Sequence, residues 1–224
     1  MSIEDHSGQG PLEPGPASPR EPLVRAPLPA LALAASFLIL YGVQSLVFGD
    51  AAITRFGFSP ADLAQGRVAG LVTGLFVHGG WAHAFLNALG GLAFGTPVAR
   101  LCGRGARGTA AFLTFFLVCG ALSSLGYAFL HWGEPTLLVG ASGGVSGFMG
   151  ATSRLMGPGP GLARFASRPV LSMAGAWIFV NLVAATVGLG DVTGGAPIAW
   201  EAHLAGYATG LLLIGPSLRL LWRV

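Results

Sequence analysis

Gly140-Ala141-Ser142-Gly143-Gly144-Val145-Ser146-Gly147-Phe148-Met149-Gly150 lies inside a charge-free run of 18 residues, Thr136 to Ser153. Its first half is too rich in glycine to be chosen for helix stability, because each helical Gly costs roughly 0.5–1 kcal/mol relative to Ala. Glycine here must admit something close, either a neighbouring backbone or a substrate. Gly143, Gly147 and Gly150 recur at i, i+4 and i+7, which is one face of a helix. That is the small-residue stripe of two membrane helices in tight contact. Ser142 stands at the start of that helix, where free N–H groups and the helix dipole favour developing negative charge. Two readings are open at this point: a packing motif with an incidental serine, or a close-packed scaffold for a reactive one.

Working outward, the chain of 224 residues is 53% hydrophobic and only 9% charged. A soluble domain carries about 25% charged residues, so the composition predicts an all-α polytopic membrane protein. The net charge of +3 comes from 12 Arg with no Lys, and their placement is topological, which excludes a nucleic-acid partner. Six spans are expected, at about 28–48, 81–99, 109–130, 136–153, 169–190 and 200–218, most of them near the ~20 residues a bilayer requires. The fourth and sixth are short, as for helices that do not simply face lipid. Residues 1–26, rich in proline and poor in large apolar side chains, read as a disordered tail and not as a signal peptide. Residues 27–224 then form the membrane domain.

Arginine sets the orientation. Arg20, Arg25, Arg100, Arg104, Arg107, Arg154, Arg164, Arg168, Arg219 and Arg223 fall on one side of the six spans, and only Arg55 and Arg67 on the other. The positive-inside rule then places both termini in the cytoplasm, with the membrane expected to be a bacterial inner membrane. Trp81, Trp132 and Trp200 mark the outer interface and Trp222 the inner one. The long first loop, 49–80, lies on the outer side. Its apolar run Val68–Val77 is too short to span and is expected to lie in the interface or dip into the protein. Cys102 and Cys119 fit no redox or metal motif, and no disulfide between them is expected.

Few polar groups lie within the spans, and polar groups in a membrane usually face the protein interior. His83 and Asn87 share a face of the second span at i and i+4. Ser142 opens the fourth and His203 lies in the sixth. Counted at 1.5 Å per residue from Trp81, Thr136 and Trp200, all sit roughly 3–10 Å below the outer boundary. His203, Gly206 and Gly210 share a face, so Gly206/Gly210 can meet Gly143/Gly147 and bring the His203 ring beside Ser142. A serine hydroxyl needs a base, and neutral imidazole is the common one near pH 7. Ser142 and His203 are thus the expected nucleophile and base, with His83, Asn87 and the Ser142 N–H as oxyanion donors. Glu201, at i−2, points about 160° away round the helix from His203, which leaves a dyad and no third member. His78 reads as structural, and Asn181 in the fifth span as pairing with a neighbour. His131 and Glu134 read as a solvated outer loop.

These residues carry a resemblance to the rhomboid intramembrane serine proteases. Gly140-Ala141-Ser142-Gly143, continued by Gly147 and Gly150, is similar to that family's nucleophile motif. Ala202-His203-x-x-Gly206-x-x-x-Gly210 resembles its base motif, and His78-x4-His83-x3-Asn87, with Arg67 upstream, its first-loop and second-span pattern. The likeness covers about 49–218. It implies a six-transmembrane-helix bundle and hydrolysis of peptide bonds in or near transmembrane segments of protein substrates in the lipid bilayer. It implies no cofactor, and Gly140 beside His83 and Asn87 at the oxyanion and substrate side. It also implies a first loop lying laterally in the outer leaflet, and access gated by the fifth span and its following loop. One position departs from the family. Many members have an aromatic residue four after the nucleophile, stacked on the base; here it is Ser146. Its hydroxyl has two readings, a bond to the His203 nitrogen facing away from Ser142 or a bond back to the carbonyl four residues earlier.

Three rivals remain. A zinc site of His78, His83 and His203 has no accompanying carboxylate or thiolate and leaves the serine unexplained. A transporter built on the broken fourth helix lacks an internal repeat and an intramembrane acid. A catalytically silent rhomboid-like protein that binds membrane proteins would have no need of both Ser142 and His203.

Overall fold

The computed structural model describes residues 26–159, 161–187 and 198–221. All but the last residue of the expected N-terminal tail, and Trp222 and Arg223, lie outside the described residues. Among the described residues the chain is helical, with no strand beyond one isolated bridge between Phe58 and Leu138. The order is α1 (Leu28–Val47), α2 (Ala51–Phe56), α3 (Pro60–Ala64), α4 (Gly70–Thr73) and a 3-10 turn (Gly74–Phe76). There follow α5 (Trp81–Cys102), α6 (Gly105–Leu130), α7 (Ser142–Leu155), α8 (Arg168–Val187) and α9 (Trp200–Leu221).

Three helices, α1, α6 and α8, are long and apolar enough to cross a membrane. The protein is therefore an integral membrane protein. The polar residues of α5 and α9 dilute their hydropathy: Arg100, His83 and Asn87 in one, Glu201, His203 and Arg219 in the other. The 14 residues of α7 are too few for ~30 Å of hydrocarbon at 1.5 Å per residue. This helix is at the centre. Every residue from Gly143 to Ser153 is buried, against α5, α6 and α9. A helix walled in by others needs no apolar lipid-facing side, which is why its sequence can be glycine and serine.

Small residues let those neighbours approach. A methyl group added at Gly206 would run into the Gly143 carbonyl, and one at Gly210 into the Gly147 carbonyl. Between membrane helices there is no hydrophobic drive to association, so such van der Waals contact and interhelical hydrogen bonds hold the bundle. Ser123 of α6 donates to the Ala202 carbonyl of α9 at 2.6 Å. Thr152 of α7 donates to the Phe94 carbonyl of α5 at 2.9 Å. The Phe112 and Phe148 rings stack at 4.9 Å, and Phe116 and Phe37 continue that core.

One sequence expectation is corrected. The fourth helix begins at Ser142, not at Thr136. The residues before it are extended, and Leu138 exchanges both backbone hydrogen bonds with Phe58, at 2.9 and 2.8 Å. Pro135 and the run Leu137-Leu138-Val139 suit an extended segment better than a helix. Residues 136–139 are extended and rise about 3.3 Å each, not 1.5 Å, before the turn at Gly140 and Ala141, which voids the depth counted from Thr136. The run Val68–Val77 folds as α4 and the 3-10 turn, with Leu75 buried against Gly120 of α6. Gln44 of α1 grips the backbone of His78 by both amide atoms, at 2.7 and 3.0 Å.

Candidate active site

Ser142 is the first residue of α7, so its own N–H belongs to the first turn, whose N–H groups have no acceptor within the helix. The preceding turn is shaped by Gly140, at φ +109°, a conformation L side chains rarely adopt. Its N–H is fastened to the Gly74 carbonyl at 2.9 Å. A Cβ there would also stand 2.5 Å from His83 Nε2. Backbone conformation and space both require glycine at this position.

His203 reaches Ser142 from α9. Its Nε2 lies 2.8 Å from Ser142 Oγ, a hydrogen bond. Its Nδ1 lies 2.7 Å from Asn181 Oδ1 on α8. The Trp177 ring, also on α8, packs 5.7 Å from the imidazole at a tilt of 35°. The reading of His203 without a third partner is thus corrected: Asn181 has a neighbour, and the neighbour is the ring of His203. The Ser146 readings are corrected too. Its hydroxyl is buried and among the described residues has no hydrogen-bond partner, neither His203 nor the Ser142 carbonyl. Asn181 already holds the nitrogen that the first of those readings gave to Ser146.

His83 and Asn87 face Gly140 from α5. Gly79 N–H donates to His83 Nδ1 at 3.3 Å, so the neutral ring carries its proton on Nε2, the nitrogen beside Gly140. Asn87 donates one amide hydrogen to the His83 carbonyl at 3.0 Å. Its other hydrogen remains, and the nitrogen lies 3.7 Å from the Cβ position of Gly140. Donors from α5 thus meet at Gly140, two residues ahead of Ser142 at the N-terminus of α7.

His78 is fully buried, edge-on to His83 at 5.2 Å and packed on Phe37 at 5.7 Å. Burial lowers its pKa to about 3, so the ring is neutral and adds no charge. His131 pairs with Glu134 at 3.0 Å and approaches Glu201 at 3.5 Å, which directs Glu201 away from His203. No group of His, Cys, Asp and Glu that could hold a metal occurs among the described residues.

Trp177 and the role of Asn181 were missed by sequence reasoning. A usable signal existed, because Asn181 is the one amide in α8 and lies in its apolar stretch Ala176–Ala185, with Trp177 one turn before it on the same face. No curated protein matches the chain. A family model described as Rhomboid domain matches residues 65–219, more than half of the chain and all the elements that carry Ser142, His203, His83, Asn87 and Asn181. With that match, the chain belongs to the rhomboid family.

Proposed function

We propose that this rhomboid-family membrane protein is an intramembrane serine endopeptidase acting on transmembrane protein substrates. The observation that carries the reading is the 2.8 Å contact between His203 Nε2 and Ser142 Oγ at the N-terminus of α7. The Ser142 hydroxyl gives its proton to Nε2 as Oγ attacks the scissile carbonyl carbon. The carbonyl oxygen becomes an oxyanion, met by the Ser142 N–H, His83 Nε2–H and the free Asn87 amide hydrogen, with Gly140 leaving room for it. The imidazolium then returns the proton to the leaving amine, and water releases the acyl group by the same steps in reverse. No cofactor enters this chemistry.

The same reading takes α1, α5, α6, α7, α8 and α9 as six spans of one domain, 27–224, with 49–80 as a long outer loop. Both termini, the 1–26 tail included, are cytoplasmic, and the membrane is a bacterial inner membrane. The test is labelling by a fluorophosphonate in detergent, with the adduct located by mass spectrometry. Label on Ser142, lost in Ser142→Ala and His203→Ala together with cleavage of a reconstituted substrate and insensitive to chelators, is the expected result. A folded wild-type protein that neither labels nor cleaves would be a silent binding member of the family. Inhibition by chelator and rescue by zinc would replace the dyad with a metal.

A further inference from the structure

We propose that Asn181 of α8 is the positioning residue that holds His203 in the tautomer able to take the Ser142 proton, which makes the site a Ser142–His203–Asn181 relay. The proposal rests on Ser142 and His203 being nucleophile and base.

The direction of the Asn181 amide follows from its own contacts. Its Nδ2 donates to the Trp177 carbonyl at 2.8 Å. An amide flip would set Oδ1 against that carbonyl oxygen, two acceptors with no proton between them. Oδ1 therefore faces His203 Nδ1, at 2.7 Å. A carbonyl oxygen only accepts, so the neutral ring must carry its proton on Nδ1. Nε2 is then the bare nitrogen, and it is the one 2.8 Å from Ser142 Oγ. The chain of donors runs one way, from Ser142 to His203 to Asn181, while Trp177 fixes the end of it.

No other group among the described residues competes for Nδ1. The Ser146 hydroxyl, one turn along α7, has no partner. Glu201, on the same helix as His203, is turned to His131. The bond also strengthens during reaction. Once Nε2 accepts the Ser142 proton the ring is cationic, and a hydrogen bond from a charged donor is roughly twice as strong as a neutral one. Asn181 therefore acts on the transition state more than on the bound substrate, and its loss should appear in kcat and not in KM. Among the described residues of α8 only Val170, Asn181 and Ala184 are buried, while Ile178, Phe179, Val180 and Leu182 are exposed. The helix that orients the base is thus held to the bundle along a narrow line, and the relay exists only while α8 is docked.

The experiment compares wild type with Asn181→Leu, Asn181→Ala and Asn181→Asp in detergent, by substrate kinetics and by ¹⁵N NMR of the His203 ring. Asn181→Leu and Asn181→Ala should lower kcat on the order of 10- to 100-fold with KM within about twofold. Asn181→Asp keeps an acceptor and, at alkaline pH where the ring is neutral, should stay within about fivefold of wild type. The ¹⁵N shifts should report Nδ1 protonated in wild type and a gain of the Nε2-protonated form in the Leu and Ala variants. Wild-type kcat in Asn181→Ala overturns the proposal, as does an unchanged ring tautomer in a variant that has lost kcat. If Asn181→Leu does not fold, Asn181→Ala repeats the test without added bulk. The ring readout needs no turnover, so the two readings separate. Wild-type protein that does not label refutes the peptidase, whereas labelled protein with an unshifted tautomer in the variants refutes Asn181 alone.

Discussion

Replacing Gly206 by alanine tests the contact on which the site is built. The added Cβ would stand 3.0 Å from the Gly143 carbonyl carbon and 3.2 Å from its Cα, and closer still to the carbonyl oxygen. Carbon atoms in contact prefer about 3.5–4.0 Å, so α9 must retreat from α7 by roughly 0.5–1 Å. Both partners of the clash are backbone, and no side chain can rotate out of the way. Gly206 lies one turn from His203, and Gly143 is next to Ser142, so the retreat falls on the 2.8 Å Ser142–His203 bond. A misplacement of about 1 Å costs on the order of 100-fold in rate, or about 2.7 kcal/mol of barrier. Overpacking should also cost about 1–3 kcal/mol of stability. The control is Gly175→Ala on α8, where a Cβ meets nothing within 4 Å. That change should stabilise by roughly 0.5–1 kcal/mol and leave kcat alone. The assays are kcat on a reconstituted transmembrane substrate, the rate of fluorophosphonate labelling, and Tm in detergent. Labelling needs the dyad but no docking of a transmembrane segment, so a parallel fall in both rates locates the damage at Ser142–His203. Wild-type kcat and Tm in Gly206→Ala would refute the reasoning.

Two further outcomes follow from the same geometry. On the proposed reading, Asn87→Ala should lower kcat by about 10- to 1000-fold with KM little changed, because one of the proposed oxyanion donors is lost while His83 and the Ser142 N–H remain. A lower Tm with intact kcat would instead make Asn87 interhelical glue. At the C-terminal end of α6, the hydrogen bond to Glu134 raises the His131 pKa above its ordinary 6.5, with Glu201 adding to it. A raised value means the pair stabilises the fold fully below about pH 6.5 and stops doing so as pH climbs through the folded value. The Tm difference between wild type and Glu134→Gln should therefore shrink as pH rises above about 6.5; a pH-independent difference would exclude protonation of His131 as its source.

How far the sequence carried this protein depended on the range of each interaction. Membrane class, the places of the long apolar helices and the glycine stripe at Gly143, Gly147 and Gly150 were legible, because each is a property of one segment and its neighbours along the chain. Ser142 and His203 could be singled out because serine and histidine are scarce residue types in an apolar span. The start of α7 was not legible. An uncharged run from Thr136 reads as helix until Phe58, 80 residues earlier, is seen to pair with Leu138 and draw the segment out. The third partner of His203 was hidden for the same reason. Ser146 is near Ser142 in sequence and on the right face, so local geometry offered it as one of two readings. Which group meets Nδ1 is set by how α8 lies on α9, and that angle is written in no single segment. Sequence supplied the reactive groups and the surfaces able to pack closely; only the packing of α7, α8 and α9 decided that an amide on α8, and not a hydroxyl on α7, turns the imidazole toward the serine.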